Sequence, residues 1–527
     1  MKRQWKRILA MLLTAVMLMG VLAGCKSGSS DGGSKSGDKG GDLVYTTAFS
    51  EFFNPYKQGT LIGYGWPCYE PLAWYKSATH EFTPMLAESW ERDEANNALV
   101  IHVRKGITFS NGDVMDATDV AWTFQARLDY GTQSTIGAPE KVEKVDDYTV
   151  KVYYPEFSLN WEVWLLTQYI FSYETFVEHG GDNGGVDWYM NNMMGTGPYV
   201  LQEYVPDVSL KFVRNEKYWG KEVPQFETCT FNYSSDGTAQ LAAFLNHESD
   251  RFTTSDPVVM AQLKEAGYEG TTGAAVSGVQ YYAVPITLDP DAPLSNIDVR
   301  KAIYLYGIDW DSMAKTVVGD NAYHTSAIGF HESPYYDESI EKCEVDYEKA
   351  KKMLADAGYP NGFDVQIYGI GAMASGVETY LQAELKKIGI NAEISDTDFG
   401  TVQGNYLSGK EAQTGIAVWV QAINADQQLD RFTKHFNPNG ATASGCTNWT
   451  DALKEKWTAT ATAKTNEEME KNLLDYCNQY VNEDCMFWPC YTSTSMVYYQ
   501  EYYHEKPEAA AVNCGYDPFC ISKDAGK

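Results

Sequence analysis

The chain has 527 residues and carries 71 acidic against 41 basic side chains, which gives a formal net charge of −30. A chain of this length exceeds one compact hydrophobic core, so we expect two or three domains. The excess of negative charge disfavours nucleic acid and anionic lipid surfaces as partners and favours neutral or cationic ones.

The N-terminus has the pattern of an export signal. Four cations within the first seven residues precede an uncharged, largely apolar stretch over 8–24. This stretch is short for a membrane-spanning helix, which needs about 20 apolar residues, and no later stretch is long and apolar enough. The pattern predicts a signal peptide over 1–24.

A single cysteine follows this stretch. Leu22-Ala-Gly-Cys25 resembles a bacterial lipobox, which implies cleavage before Cys25 and acylation of its thiol, for example by palmitate. Residues 26–42 are only Lys, Ser, Gly and Asp. Such a segment cannot bury a core, so we expect a flexible tether over 25–42 with an r.m.s. span of about 20–25 Å. The protein is then anchored at the outer face of the cell membrane, or at the periplasmic side of a membrane if the organism has two.

The front part of the chain predicts strands. Leu99, Ile101 and Val103 alternate with more polar residues, and the segment 148–154 and the residues around Phe212 show the same alternation. A period of two with β-branched and aromatic residues is typical of a sheet with one buried face.

The rear part predicts helices between strands. Asp346 can cap a helix that ends at Gly358, an apolar stripe over 377–388 ends at Gly389, and Thr465-x-x-Glu468 is a capping box. The strand-like segments FDVQIYG and INAEISD flank the second of these helices. Strand, helix and strand in this order predict a βαβ unit. The fold class is therefore α/β with α+β elements and a β-rich front part.

Motifs for catalysis, cofactors and metals are weak. Gly369-Ile-Gly371-Ala-Met-Ala374 fits a relaxed dinucleotide-binding pattern, but a tight turn between strand and helix explains it better. The eight histidines are scattered, and none of the ten cysteines forms a CxxC pair, which favours buried thiols over a zinc site. One or two disulfides are compatible with export, although the sequence does not assign them. We therefore predict no catalytic residue, no metal and no cofactor.

Seven segments, taken in order, resemble one known family: the solute-binding receptors of oligopeptide-, dipeptide- and nickel-type ABC importers, bacterial solute-binding family 5. They are 86–91, 103–124, 195–204, 215–220, 298–309, 347–363 and 385–394. The most specific is 103–124, which keeps the pattern at Arg104, Gly106, Phe109, Ser110, Gly112, Ala117, Asp119 and Val120. Physically, these segments are interpreted as scaffold and not as ligand contacts.

The resemblance implies a two-lobed periplasmic-binding-protein-like fold (type II, cluster C) with an extra β-rich subdomain. The implied first lobe is discontinuous and covers 43–76, 195–283 and 490–527; the β-rich insert covers 77–194, and the second lobe covers 284–489. The lobes of such receptors close on a ligand by hinge motion. The resemblance also implies a monomer that hands its ligand to an ABC permease and its ATPase subunits and performs no bond chemistry.

The ligand is less certain because one family feature is missing. Peptide receptors of the family often carry Trp-x-x-Asp, in which the aspartate pairs with the peptide's ammonium group. Here Trp419 is present, but the third residue after it is Ala422. Asp426 can substitute if the loop has a different register; otherwise the ligand lacks a free amine or is held in another way, because an unpaired buried ammonium is costly.

Other candidate ligand residues follow from the same resemblance. Gln421 and Asn424 can supply amide hydrogen bonds, Tyr491 lies where the chain returns to the first lobe, and Gln58 and Thr60 lie in a stretch that resembles the first lobe's ligand contact. We expect an oligopeptide as the solute. An oligosaccharide is the alternative, and a surface-anchored hydrolase or a receptor used for signalling is a distant one.

The lipobox gives a first test. In cells fed labelled palmitate, the full chain is expected to carry the label and to sediment with membranes, whereas Cys25→Ser should lose the label and leave the membrane fraction, because no other anchor is predicted. Cys514→Ser is the matched control and should keep both properties. Label retained on Cys25→Ser would contradict the lipid anchor.

Overall fold

The computed structural model describes the polypeptide over most of its length. The described residues are 41–47, 67–76, 79–129, 139–155, 159–189, 191–221, 224–272, 277–286, 289–328, 331, 336–370, 376–397, 401–402, 414–424, 449–505 and 521–524. They fall within one compact unit, Gly40–Lys527. Within these ranges no helix is both long and apolar enough to cross a bilayer.

Runs of strands and runs of helices follow one another along the described chain. The strands are β1 (Asp42–Thr47), β2 (Ala73–Lys76), β3 (Glu81–Pro84), β4 (Ala87–Asp93), β5 (Ala98–Val103), β6 (Lys141–Asp146), β7 (Thr149–Tyr153), β8 (Tyr199–Val205), β9 (Ser209–Arg214), β10 (Thr228–Tyr233), β11 (Arg251–Thr254), β12 (Ser277–Ile286), β13 (Ala322–Tyr323), β14 (Asp364–Gly369), β15 (Asn391–Asp396), β16 (Gly415–Asn424), β17 (Trp488–Thr494), β18 (Met496–Tyr499), β19 (Tyr503–Glu505) and β20 (Ile521–Lys523). The α-helices are α1 (Ala117–Asp129), α2 (Leu159–Leu166), α3 (Tyr173–Glu178), α4 (Gly185–Tyr189), α5 (Gly237–Leu245), α6 (Pro257–Glu265), α7 (Ile297–Lys301), α8 (Trp310–Val317), α9 (Tyr347–Asp356), α10 (Val377–Lys387), α11 (Asp451–Ala461) and α12 (Asn466–Asn478).

The first six-stranded sheet has the order β18-β11-β1-β10-β9-β8. Its central strand β1 runs parallel to β10, with Asp42 opposite Thr228, while β9 is antiparallel to β10. The predicted strand around Phe212 is confirmed as β9, and Phe212 is fully buried against Phe231 of β10. The period-two pattern thus correctly indicated which side chains face the core.

A four-stranded antiparallel sheet, β4-β5-β7-β6, forms the β-rich front part. Ile101 of β5 and Val150 of β7 are opposite each other and fully buried, as the alternation predicted. Helix α1 covers this face and buries Phe124. Asp116 caps α1 by accepting the backbone N–H of Thr118 at 2.5 Å, so a local capping signal sets where this helix begins.

The chain enters and leaves the β-rich part at one place. The Gly197 N–H donates to the Cys68 carbonyl at 2.9 Å. The buried Glu70 carboxylate accepts hydrogen bonds from Thr196, Tyr218 and Trp219 at 2.8, 2.5 and 2.7 Å. A Cβ at position 195 would lie 1.9 Å from the Cys68 carbonyl oxygen, so this close approach requires glycine.

The second six-stranded sheet has the order β13-β17-β12-β16-β14-β15. The predicted βαβ unit is confirmed as β14-α10-β15, with β14 parallel to β15. Asp346 caps α9 as expected, and Gly358 follows that helix with a φ of 100°. Thr465 caps α12, but the Glu468 carboxylate accepts from the N–H of Lys464 and not from that of Thr465.

In the described part of the chain, the polypeptide passes between the two six-stranded sheets at two neighbouring places. Strands β17 and β18 belong to different sheets and are separated only by Ser495. The other crossing lies beside it, because Thr271 and Val497 exchange both backbone hydrogen bonds, at 2.9 and 2.7 Å. The implied lobe boundaries at 283/284 and 489/490 fall inside β12 and β17. The chain passes from the first six-stranded sheet to the second before β12, and it returns to the first at Ser495.

The β-rich part also contacts the helices of the second sheet. His80 lies between the Tyr75 hydroxyl and the Glu470 carboxylate of α12, at 2.7 Å from each. The Leu159 N–H donates to the Ala463 carbonyl at 3.2 Å. These polar contacts join surfaces that are more than 300 residues apart in the chain.

The cysteines within the described ranges are in the thiol form. They are Cys68, Cys229, Cys343, Cys477, Cys485 and Cys490, and all except the partly exposed Cys343 are buried. Burial raises the pKa of the Cys343 thiol to about 12. Cys25, Cys446, Cys514 and Cys520 lie outside the described residues.

The crossing gives a stability prediction. A Cβ at Gly278 would lie 2.0 Å from the Ser493 carbonyl oxygen, so Gly278→Ala should force the two strands apart and lower the free energy of unfolding by about 1–3 kcal/mol. Gly237→Ala is the matched control, since a Cβ there meets nothing within 4 Å and position 237 opens α5. Denaturant unfolding measures both variants, and equal midpoints would contradict the argument.

Candidate functional site

The second sheet reverses its strand order at β14. Strand β14 runs parallel to both neighbours, with Ile367 opposite Ile416 of β16 and Ile394 of β15. The chain leaves β14 through α10 to β15 on one side and later returns to β16 on the other. The crevice at the carboxyl ends of two such parallel strands is the usual ligand position in open α/β sheets. We therefore expect the ligand site beyond Ile370 and along the second half of β16.

Three of the predicted ligand residues, Trp419, Gln421 and Asn424, belong to β16. Trp419 is opposite Tyr282 and is 5% exposed, within the main core cluster. Gln421 follows on the same side of the strand and is 8% exposed. Its neighbour across the ladder is Gln280, whose amide N–H donates to the Ala327 carbonyl at 3.1 Å and to the Thr492 hydroxyl at 2.9 Å.

Gln421 differs from Gln280 in one respect. Its amide oxygen is buried and has no hydrogen-bond partner among the described residues. An unsatisfied buried acceptor costs about 1–3 kcal/mol, so native proteins rarely keep one without a reason. A donor supplied by a ligand is one such reason.

Tyr491, the third predicted residue, lies on β17 and is 3% exposed. Its ring stacks on Tyr281 of β12, with ring centroids 4.7 Å apart and an angle of 29° between the planes. Because side chains alternate along a strand, this ring pair lies on the opposite face of the sheet from Gln280 and Gln421. Burial is the main cause that raises the pKa of both phenols, so they stay neutral.

The structure does not test the remaining predicted residues. Asn424 is the last residue of β16 and is opposite Ser277. Gln58, Thr60 and Asp426 lie outside the described residues. The described structure thus groups Trp419 and Gln421 on one face of the sheet and Tyr491 on the other, all within the central strands β12, β16 and β17.

Sequence reasoning missed three residues near this place. Tyr281 stacks on Tyr491, Ser493 follows Tyr491 on the same side of β17, and Glu378 lies in the first turn of α10. Glu378 had a visible signal: it is three residues before Leu381 and seven before Leu385, so it falls on the apolar stripe of its helix. A carboxylate on that stripe predicts a buried charge.

The described groups at the site are amides, phenols, hydroxyls and a carboxylate. They can bind a solute through hydrogen bonds and ring contacts. Within the described ranges, no three His, Cys, Asp or Glu side chains lie close enough to hold a metal ion.

Comparison with known families decides the class of the protein. The model for bacterial extracellular solute-binding proteins, family 5 (middle part), matches residues 81–440, more than half of the chain. The chain belongs to this family. The family recognised from the seven segments is thus confirmed, and its members are extracellular by description.

Individual relatives show the range of this solute-binding family. The dipeptide-binding protein of Escherichia coli K12 is 26% identical over 412 residues, which cover 72% of this chain and 75% of the relative. The nickel-binding periplasmic protein of the same organism is 25% identical over 378 residues, covering 67% and 70%.

A solved relative gives the fold. The periplasmic binding protein DppA from Helicobacter pylori, in complex with the peptide STSA, superimposes with a TM-score of 0.77 at 20% identity, covering 92% of this chain and 98% of the other. The predicted periplasmic-binding-protein-like fold, with mixed helices and sheets, is confirmed.

The two facing glutamines give a prediction that separates a binding role from a structural one. Gln421→Leu should leave the free energy of unfolding unchanged or slightly higher, because it removes an acceptor that has no partner in the described part of the chain. Gln280→Leu is the matched control and should cost about 1–3 kcal/mol, because it leaves the Ala327 carbonyl and the Thr492 hydroxyl unsatisfied. Denaturant unfolding measures both, and a larger loss for Gln421→Leu would assign that residue to the scaffold.

Proposed function

We propose that this family 5 protein is the substrate-binding receptor of an ABC importer. It captures an oligopeptide between two lobes and delivers it to a membrane permease and its ATPase subunits, without bond chemistry of its own. The observation that carries this proposal is the amide oxygen of Gln421, which follows Trp419 on the same side of β16 and has no hydrogen-bond partner among the described residues. A peptide backbone N–H is a donor of the kind that this acceptor lacks.

The two lobes of this proposal follow the two six-stranded sheets. The first lobe is the sheet from β18 to β8, extended by the β-rich part, and the second lobe is the sheet from β13 to β15 with its helices. They join at Ser495 and at the crossing before β12, so a rotation there would open and close the cleft. Ligand shifts such an equilibrium only through contacts that it makes better in the closed form.

The proposed receptor stays near its permease through its N-terminus. Cys25 is acylated after removal of residues 1–24, and residues 26–42 form the tether between the lipid and the lobes. The protein therefore acts as a monomer on the outer face of the membrane. The relatives named above are binding proteins by name, which supports a receptor without enzymatic activity.

An oligosaccharide is the second candidate ligand. The stacked rings of Tyr281 and Tyr491 offer aromatic surface on one face of the sheet, and residue 422 is alanine where peptide receptors often carry aspartate. Sugar rings bind through contact with aromatic faces and need no counter-charge, so these two features favour an oligosaccharide.

Calorimetry with the purified protein tests the proposal. A random tetrapeptide library is expected to release binding heat, while malto- and cello-oligosaccharides are not, and the radius of gyration from X-ray scattering should fall when peptide is added because the lobes close. Gln421→Leu should weaken peptide binding. Binding of an oligosaccharide without peptide would favour the second candidate, and cleavage of the peptides by pure protein would favour the hydrolase.

A further inference from the structure

The β-rich part and the helices of the second sheet meet at a junction to which the proposed binding role assigns no task. His80, at the end of the turn between β2 and β3, is its centre. The His80 ring lies 2.7 Å from the Tyr75 hydroxyl through Nδ1 and 2.7 Å from the Glu470 carboxylate of α12 through Nε2. None of these three residues belongs to the strands that cross between the two six-stranded sheets or to the candidate site.

The carboxylate of Glu470 fixes the roles of the two ring nitrogens. An ionised carboxylate only accepts hydrogen bonds, so Nε2 of His80 carries a hydrogen and donates it to Glu470. Burial and the nearby charge of Glu470 raise the pKa of the Tyr75 phenol, which therefore keeps its proton and can donate to Nδ1 of the neutral ring. The three side chains thus form one chain of hydrogen bonds that reaches across the junction.

The backbone of His80 has an uncommon conformation. Its φ is 55°, in the left-handed region that residues other than glycine rarely adopt. Such a conformation persists only where surrounding contacts hold it, and it is frequent in ligand clamps and switch regions. Here the ring provides these contacts, since the His80 side chain is only 13% exposed although the preceding Thr79 is exposed.

A second contact joins the β-rich part to the same two helices. Leu159, the first residue of α2, is buried within the hydrophobic cluster of the second sheet, whereas Trp161 and Leu165 of the same helix pack in the cluster of the β-rich part. The Leu159 N–H donates to the Ala463 carbonyl, in the turn between α11 and α12, at 3.2 Å. The junction therefore combines a chain of polar groups with one apolar side chain.

The β-rich part is tied more firmly to the first sheet than to these helices. The Glu70 carboxylate is 2% exposed and accepts three hydrogen bonds where the chain enters and leaves the β-rich part. The Glu470 side chain is 38% exposed, and partly exposed polar pairs contribute little to stability. A rotation of the two sheets would therefore break the contacts of Glu470 and keep those of Glu70.

We propose that this junction is a latch that holds the two lobes closed and opens before a solute leaves. Tyr75, His80 and Leu159 form its side on the first lobe, and Glu470 and Ala463 form its side on the second. Because the latch lies outside the candidate site, it favours the closed form without touching the solute. This inference rests on the two-lobed receptor proposed above.

X-ray scattering of the purified protein without solute tests the latch. Glu470→Ala removes the acceptor, and His80→Asn removes the ring while asparagine tolerates a positive φ. Each variant should have a larger radius of gyration than the wild type, and the double variant should show no further increase, because both changes remove the same contact. Glu467→Ala is the matched control, since this glutamate is exposed in the first turn of the same helix.

Dissociation kinetics give a second readout that a static packing contact would not change. The tightest tetrapeptide from the random library is labelled, bound to each variant and displaced by excess unlabelled peptide. Its dissociation rate should rise about 2- to 5-fold in His80→Asn and Glu470→Ala, because release requires the lobes to open. The rate should stay unchanged in Glu467→Ala.

The outcomes separate the latch from the receptor role. A change in either readout supports the latch, whereas folded variants with an unchanged radius of gyration and an unchanged dissociation rate overturn it and leave the receptor role intact. If the wild type binds no peptide, the peptide proposal fails and scattering alone decides on the latch. Glu470→Gln keeps the shape of the side chain, so it should show a smaller change in the same direction even if Glu470→Ala folds poorly.

Discussion

One extended segment, 488–499, belongs to both six-stranded sheets, and the rest of the structure is arranged around it. Its first part is β17, its last part is β18, and Ser495 alone separates them. The neighbouring crossing is hydrogen-bonded to it through Thr271 and Val497. Tyr491 and Ser493 lie within four residues of Ser495, so a rotation of the sheets would pivot beside the polar groups of the candidate site.

Local signals in the sequence predicted the elements well. Asp346, Gly358 and Gly389 correctly bounded two helices, and the period-two pattern correctly identified buried faces such as that of Ile101. These signals act within a few residues and do not depend on the rest of the fold. The predicted lobe limits fall inside β12 and β17. They came from a resemblance between segments of sequence, whereas membership of a sheet depends on pairing between strands that are distant in the chain.

The site was predictable only in part for the same reason. Trp419, Gln421 and Tyr491 were predicted from family patterns, but the stacking of Tyr491 on Tyr281 depends on a register between residues 210 positions apart. Glu378 was visible only as a charge on an apolar stripe, and a single helix cannot show what that charge faces.

The burial of the thiols affects how readily the protein is oxidised before and after it folds. At neutral pH a thiol with a pKa near 12, such as that of Cys343, provides almost no thiolate, and thiolate is the species that oxidants attack. Burial therefore shields the folded protein outside the cell without any disulfide among its described cysteines. The newly exported, unfolded chain has no such shield. Rapid folding after secretion is thus what keeps mismatched cross-links from forming, and a slow-folding variant would show oxidative damage before it showed weaker binding.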